Sequence, residues 1–204
     1  MTTAIGSYAT LAALKSRLKI TDTADDSELS ATCDAVNAYI EGPQACNRVV
    51  APIASAVYVL DGDGSRVLRY PRGIRSVSLL EVAQYTGGAY QAIPAGDFFL
   101  RPSAALRQPG WPATRLEMTN IPHAFFAYFP FGYDTVRVTM ETGWDAIPDD
   151  VTDVALTAAT RAWASAQAGQ ADIVGTDEMG KPLVSRFFSS RDMGTLRAYS
   201  QNLP

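Results

Sequence analysis

Apolar positions recur at helical spacing over the first fifty residues, alternate through the middle of the chain, and return to helical spacing after Pro148. Thr10 stands as an N-cap before Leu11, Leu14 and Leu18, while Lys15, Arg17 and Lys19 crowd the turns that follow, where cations suit the negative end of the helix dipole. This predicts a short amphipathic helix. The acids Asp25, Asp26 and Glu28 mark the first turn of a second helix, and Leu29, Cys33, Val36 and Ile40 form one narrow apolar stripe. Gly42-Pro43 ends it, in the pattern of a C′ glycine followed by a proline.

From about Ser55 to Thr142 the period is that of strands. The stretch AVYVLDGDGSRVLRYP places a Gly- and Asp-rich turn between two runs rich in Val, Leu and Tyr, which predicts a hairpin. Ser76 to Tyr85 predicts a further strand, with a bulge where the apolar phase slips between Leu79 and Leu80. Gly87-Gly88 predicts a turn. Phe98 to Leu100 and Leu116 to Thr119 are short strands, separated by a segment whose Pro102, Pro109, Gly110 and Pro112 exclude regular structure. Thr135 to Thr142 places Val136, Val138 and Met140 on one face and Arg137, Thr139 and Glu141 on the other, the pattern of a half-buried antiparallel strand.

The third helix has the clearest signals. Pro148 presets φ for a first turn, Asp149, Asp150 and Asp153 load that end with negative charge, and no breaker intervenes before Gly169. Pro148 to Ala168 would span roughly 30 Å. Its apolar face is mostly small: Val151, Ala155, Ala158, Ala159, Ala162 and Ala166, with Leu156 and Trp163 at the flanks. Small side chains admit a close neighbour, so Ala155, Ala158, Ala162 and Trp163 are expected to pack against another helix or subunit. Past Gln170 the chain is Gly-rich and polar as far as Pro182, then carries the apolar patch Leu183 to Phe188 and a last helical turn around Leu196 to Tyr199.

These signals predict an α+β chain, a helical bundle with an antiparallel β-rich insertion and an extended C-terminal tail. Residues 1–50 supply two bundle helices, 51–145 the insertion, 146–169 the long helix and 170–204 the tail. Composition fits a folded chain: 204 residues, 47% hydrophobic and 19% charged. A net charge of −4 argues against a broad phosphate-gripping face. Cys33 and Cys46 lie in no metal-ligand spacing and read as buried thiols in a reducing cytoplasm. No run approaches the roughly 18 to 20 apolar residues of a membrane-spanning helix, and no secretory leader is expected.

Candidate chemistry is sparse. His123, the single histidine, sits in IPHAFF with no partner spaced to build a nucleophile or a metal site. No phosphate-loop, dinucleotide, nucleophile-elbow or zinc-protease string occurs, so neither catalytic residues, metal nor cofactor is expected. The pairs Asp25-Asp26 and Asp149-Asp150 are explained by helix electrostatics. The run Phe125 to Tyr133 holds six aromatics, Phe125, Phe126, Tyr128, Phe129, Phe131 and Tyr133, read as core or as a subunit contact because no Lys or Arg is interleaved; a platform that stacks sugars or bases is the competing reading.

Two stretches resemble the head-to-tail connector, or adaptor, proteins of tailed bacteriophages. In YATLAALKSRLKITDTADDSELSATCDAVNAYIE a leucine-patterned helix, a short turn and an acidic helix start follow one another as in that family. In VRVTMETGWDAIPDDVTDVALTAATRAW a strand ending in Gly143-Trp144 leads through Pro148 into an alanine-rich helix. The resemblance implies a structural virion protein rather than an enzyme. It implies a homo-oligomeric ring of twelve subunits in the virion neck, assembled in the host cytoplasm, between the phage portal protein and the next neck protein, a stopper or tail terminator. Genomic DNA would pass through the lumen without sequence-specific binding, and no membrane is involved. The insertion is longer than the compact hairpin of that family. C-terminal segments of such proteins dock to the portal, which points to Leu183, Val184, Arg186, Phe187, Phe188, Arg191, Leu196 and Tyr199, in a tail expected to be poorly ordered until docked. A neck or tail protein of another tier, or a sugar-binding β-rich module, are the alternatives.

The turn Asp61-Gly-Asp63-Gly-Ser65 opens like a calcium loop, but its twelfth position is Arg72 where a bidentate acid is needed. We expect isothermal titration to detect no heat of binding at micromolar calcium; heat that Asp63→Ala abolishes would overturn this.

Overall fold

Helix signals cluster at the two ends of the chain, and the structure brings those ends together. The computed structural model describes residues 6–119, 127–167, 173–176, 182–184 and 187–200; His123, Phe125, Phe126 and Arg186 lie outside them. The chain divides into two compact units, Met1–Val50 with Ile147–Pro204, and Ala51–Ala146.

The first unit holds α1 (Leu11–Leu18), α2 (Asp26–Glu41), α3 (Asp149–Gln167) and α4 (Ser190–Ala198). Thr10 caps α1 by accepting the Ala13 N–H at 3.3 Å, and Lys19 closes it in the left-handed region at φ 60°. Leu29, Cys33, Val36 and Ile40 of α2 are buried as their spacing predicts, joined by Asn37. That amide is tolerated inside because it accepts the Ala9 N–H at 2.8 Å and donates to the Ala9 carbonyl at 3.0 Å. Gly42 does not take the expected left-handed conformation; it is extended, φ −70° and ψ 165°, and the Cys46 N–H instead satisfies the Ile40 carbonyl at 3.0 Å.

Helices α1, α2 and α4 all pack on α3. The buried face of α3 is Val151, Val154, Ala155, Ala158, Ala159 and Trp163. This rotates the helix from its expected setting: Trp163 is on the buried face at 7% exposure, while Ala162 and Ala166 lie off it. Alanines recur along so many rows of α3 that their spacing marks the phase of the buried face poorly, and the indole, continuing the row Ala155-Ala159, decides it.

The second unit is an antiparallel sheet of β1 (Ile53–Gly62), β2 (Val67–Ala83), β3 (Tyr90–Ile93), β4 (Phe98–Arg101), β5 (Ala113–Met118) and β6 (Gly132–Thr142). Its order is β1-β6-β2-β5-β4, with β3 on the distal half of β2. The predicted β1–β2 hairpin is therefore absent, because β6 lies between the two strands. Val136, Val138 and Met140 of β6 are fully buried, and a strand with a wholly apolar face is best covered in the middle of a sheet. The runs before and after Pro71 are one strand, not two. Pro71 and Gly73 (φ 85°) fall between the Val67–Arg69 ladder to β5 and the ladder to β6 that starts at Ile74, where a missing N–H and a positive φ are tolerated. The bulge lies between Val77 and Leu79, just before its expected place.

Side chains from both halves of β2, Leu68, Tyr70, Ile74, Leu80 and Val82, share one buried cluster with Ala113, Leu116, Met118 and the β6 face. The tail is not extended where it is described. Ile173–Thr176 (β7) pairs antiparallel with Pro182–Val184 (β8), and α4 follows.

Denaturant melts should now rank the α3 variants in an order set by burial. Trp163→Ala is expected to cost about 3 kcal/mol or more, Ala158→Leu about 1 to 3 kcal/mol by overpacking, and Ala162→Leu the least of the three.

Candidate functional site

Helix α4 is held to its own unit by a set of specific contacts. Ser189 caps it in a reciprocal box with Asp192, accepting the Asp192 N–H at 3.2 Å while its own N–H donates to the Asp192 carboxylate at 2.8 Å. Arg161 of α3 donates to that carboxylate at 2.6 Å and to the Phe187 carbonyl at 3.1 Å. Phe188 stacks on Tyr39 of α2 with ring centroids 4.6 Å apart. Leu196 is fully buried, and the Tyr199 hydroxyl donates to Asp150 at 2.9 Å. Burial, then the Asp150 carboxylate, pushes that phenol up to about 12.

The residues expected to dock elsewhere are thus divided. Phe188 and Leu196 serve the chain's own core, Phe187 and Tyr199 are half-buried, and Arg191 is exposed. Leu183 and Val184 lie in β8. The expectation of an unstructured tail fails for residues 187–200 because their partners, Tyr39, Arg161 and Asp150, are distant in sequence and a composition-based reading cannot supply them.

Beside α4 a groove of about 1080 Å³ opens between α2, α3 and α4. Ala31, Ala35 and Ala162 line it with small side chains, Tyr39 and Phe188 supply aromatic rings, and Arg197 is the one charged residue of its described lining. Ala162, expected to pack inward, faces this groove.

In the sheet unit, three loops meet where β6 begins. The Gly64 N–H donates to the Phe129 carbonyl at 3.0 Å and the Phe129 N–H to the Ser65 carbonyl at 2.8 Å. The Asp134 N–H donates to Asp61 Oδ1 at 3.0 Å, and the Thr86 hydroxyl to the Tyr133 carbonyl at 2.9 Å. Gly62 is required here, since a Cβ would run into the Pro130 carbonyl. The aromatic run divides accordingly: Phe129 is fully buried, whereas Tyr128, Phe131 and Tyr133 are exposed, together with Tyr85 from the β2–β3 turn. Tyr85 has no signal in the sequence that ties it to this run. The acids of the β1–β2 turn are employed locally, Asp61 on Asp134 and Asp63 on the Ser65 N–H at 2.9 Å.

Other chemically suggestive groups have structural roles. Asp26 pairs with Lys15, and Asp150 accepts the Val151 N–H at 2.9 Å. Burial pushes the Cys46 thiol up to about 12, against the pull of nearby Arg48, so it is a poor nucleophile at neutral pH. Among the described residues no group of three His, Cys, Asp or Glu is placed to hold a metal ion, and no helix is long and apolar enough to cross a membrane.

No known protein family matches the chain, and no curated protein matches its sequence. Solved structures do. One is a chain from the neck of an empty gene transfer agent particle, reconstructed with C6 symmetry, which covers 100% of this chain and 95% of its own length at 18% identity and a TM-score of 0.53. The chain shares the fold of a gene transfer agent neck protein. A chain from the virion of a native gene transfer agent particle matches over the same extents at 19% identity and a TM-score of 0.53.

The Asp192 latch carries a pH dependence. Burial opposes its ionisation, but the Ser189 backbone and hydroxyl and the Arg161 guanidinium outweigh that and hold the carboxyl below the usual carboxylate range. A depressed folded pKa contributes stability above the unfolded value and loses it as pH falls through the folded one. Hydrogen exchange should therefore show α4 amides losing protection on acidification below the ordinary Asp value of 3.8. Asp192→Asn should show weak protection already at neutral pH.

Proposed function

We propose that this chain is a structural protein of the neck of a phage-like particle, an adaptor that assembles as a ring between the portal and the next neck protein, a stopper or tail terminator. The observation that carries the reading is the fold match to a gene transfer agent neck chain over 100% of this chain and 95% of the other. A match of that extent supports reading helices and sheet together as one neck protein.

The connector-like stretches support the same reading. Tyr8–Glu41 supplies α1 and α2, Val136–Trp163 supplies most of α3, and these helices pack together. Arg17 of α1 bonds Asp153 and Thr157 of α3, each at 3.0 Å. Being exposed, that ion pair adds little energy but aligns the two helices. On this reading the portal contact falls on the C-terminal segment, at Leu183, Val184, Arg186, Phe187 and Arg191, with Phe188, Leu196 and Tyr199 holding α4 in place behind them. DNA passes through the ring without sequence-specific contact, in keeping with a net charge of −4.

Electron microscopy of the purified chain mixed with portal rings from the same particle tests this. Closed rings of the chain seated on the portal, with an open lumen, are expected. Absence of rings together with failure to co-sediment with portal would reject the adaptor role.

A further inference from the structure

We propose that the aromatic knob at the start of β6 seats in the α2/α3/α4 groove of a second copy of this chain, and that this contact joins neighbouring subunits. The inference rests on the ring reading and supplies its interface.

The knob has the properties of a protein contact. Tyr85, Tyr128, Phe131 and Tyr133 are 65%, 56%, 83% and 73% exposed, a concentration of aromatic surface that a monomer has no reason to leave in water. Hydrogen bonds between the three loops hold their backbone, so little conformational entropy remains to be lost on binding. Aromatic side chains on a preorganised frame are the residues that dominate interface energies.

Charge selects the occupant. Asp61, Asp63 and Asp134 stand where the three loops meet, and the one cation of their described residues, Arg66, donates to the Met118 carbonyl at 2.9 Å. A nucleic-acid strand is disfavoured by that sign, and a protein surface combining apolar area with a cation is favoured. This chain presents such a surface: the groove, apolar and floored by alanines, with Arg197 as the one charge of its described lining. Arg197 is exposed on α4. About 1080 Å³ is room for several aromatic rings, and Tyr39, exposed and backed by the buried Phe188, offers a ring to meet them. Because knob and groove are different surfaces, the contact is heterologous, the kind that repeats around an axis and generates a ring when the rotation closes.

Disulfide trapping tests the contact directly, since Cys33 and Cys46 are buried. Chains carrying Phe131→Cys are mixed with chains carrying Ala35→Cys, an exposed groove residue, and oxidised. Covalent dimers that need both variants are expected. Asp63→Lys on the knob-bearing chain should lower their yield, and Arg197→Glu on the groove-bearing chain should restore it. In sedimentation velocity, Phe131→Ser with Tyr133→Ser should weaken self-association at least about tenfold, with circular dichroism unchanged. Dimer yields no higher in the mixture than in either variant alone would overturn the assignment. So would self-association indifferent to the Phe131 and Tyr133 substitutions, or glycan binding that those substitutions abolish; in either case rings on the portal would leave the adaptor reading standing. A chain that neither self-associates nor forms rings on the portal would remove both.

Discussion

The antiparallel ladder between β1 and β6 is the constraint on which the rest of the structure depends. It pairs the first strand of the insertion with its last, Ile53 with Thr142 at one end and Gly62 with Gly132 at the other. The two ends of a 51–146 excursion are thereby set side by side. Gly143, at φ 82°, approaches the Ala51 carbonyl so closely that no Cβ fits between them. Burying Val136, Val138 and Met140 contributes about 1.5 to 3 kcal/mol for each side chain. An insertion that closes its own ends adds little loop entropy to the helices it interrupts.

With the ends closed, α3 can complete the helical unit begun by α1 and α2. Its small residues set the distance of approach, and Trp163 gives the face a phase that alanines leave undefined. Polar groups enter this interior only with partners: Asn37 is matched to both backbone groups of Ala9, and the Tyr8 hydroxyl donates to Glu41 and accepts the Val50 N–H. Helix α4 uses the same logic at the surface. Its capping box shares a carboxylate with Arg161, so one side chain both starts the helix and fixes it to α3.

The knob follows from close backbone approach. Gly62 lets the β1–β2 turn lie against residues 129–131, Phe129 fills the core beneath, and Tyr128, Phe131 and Tyr133 are left exposed. A fold that buries Phe129 and holds Tyr128, Phe131 and Tyr133 in water on a pinned frame has its contact surface preformed. The groove beside α4 is the apolar counterpart within the same chain, which is why a second copy is the economical partner for both.

Periodicity and punctuation alone determined the helices α1, α2 and α3, the alternation of β6, and the stretch between β4 and β5, irregular but for a 3-10 turn at Ala104–Leu106, because each depends on neighbours within a few residues. Tertiary structure alone decided which strand lies beside which. Asp61–Ser65 encodes a reversal, but the strand that fills the gap between β1 and β2 comes from about seventy residues later in the chain. It also decided the facing of Trp163, the burial of Phe188 and Leu196, and the meeting of the β2–β3 turn with the aromatic run. Each of these rests on contacts between residues far apart in sequence, whose geometry exists only once the chain has closed.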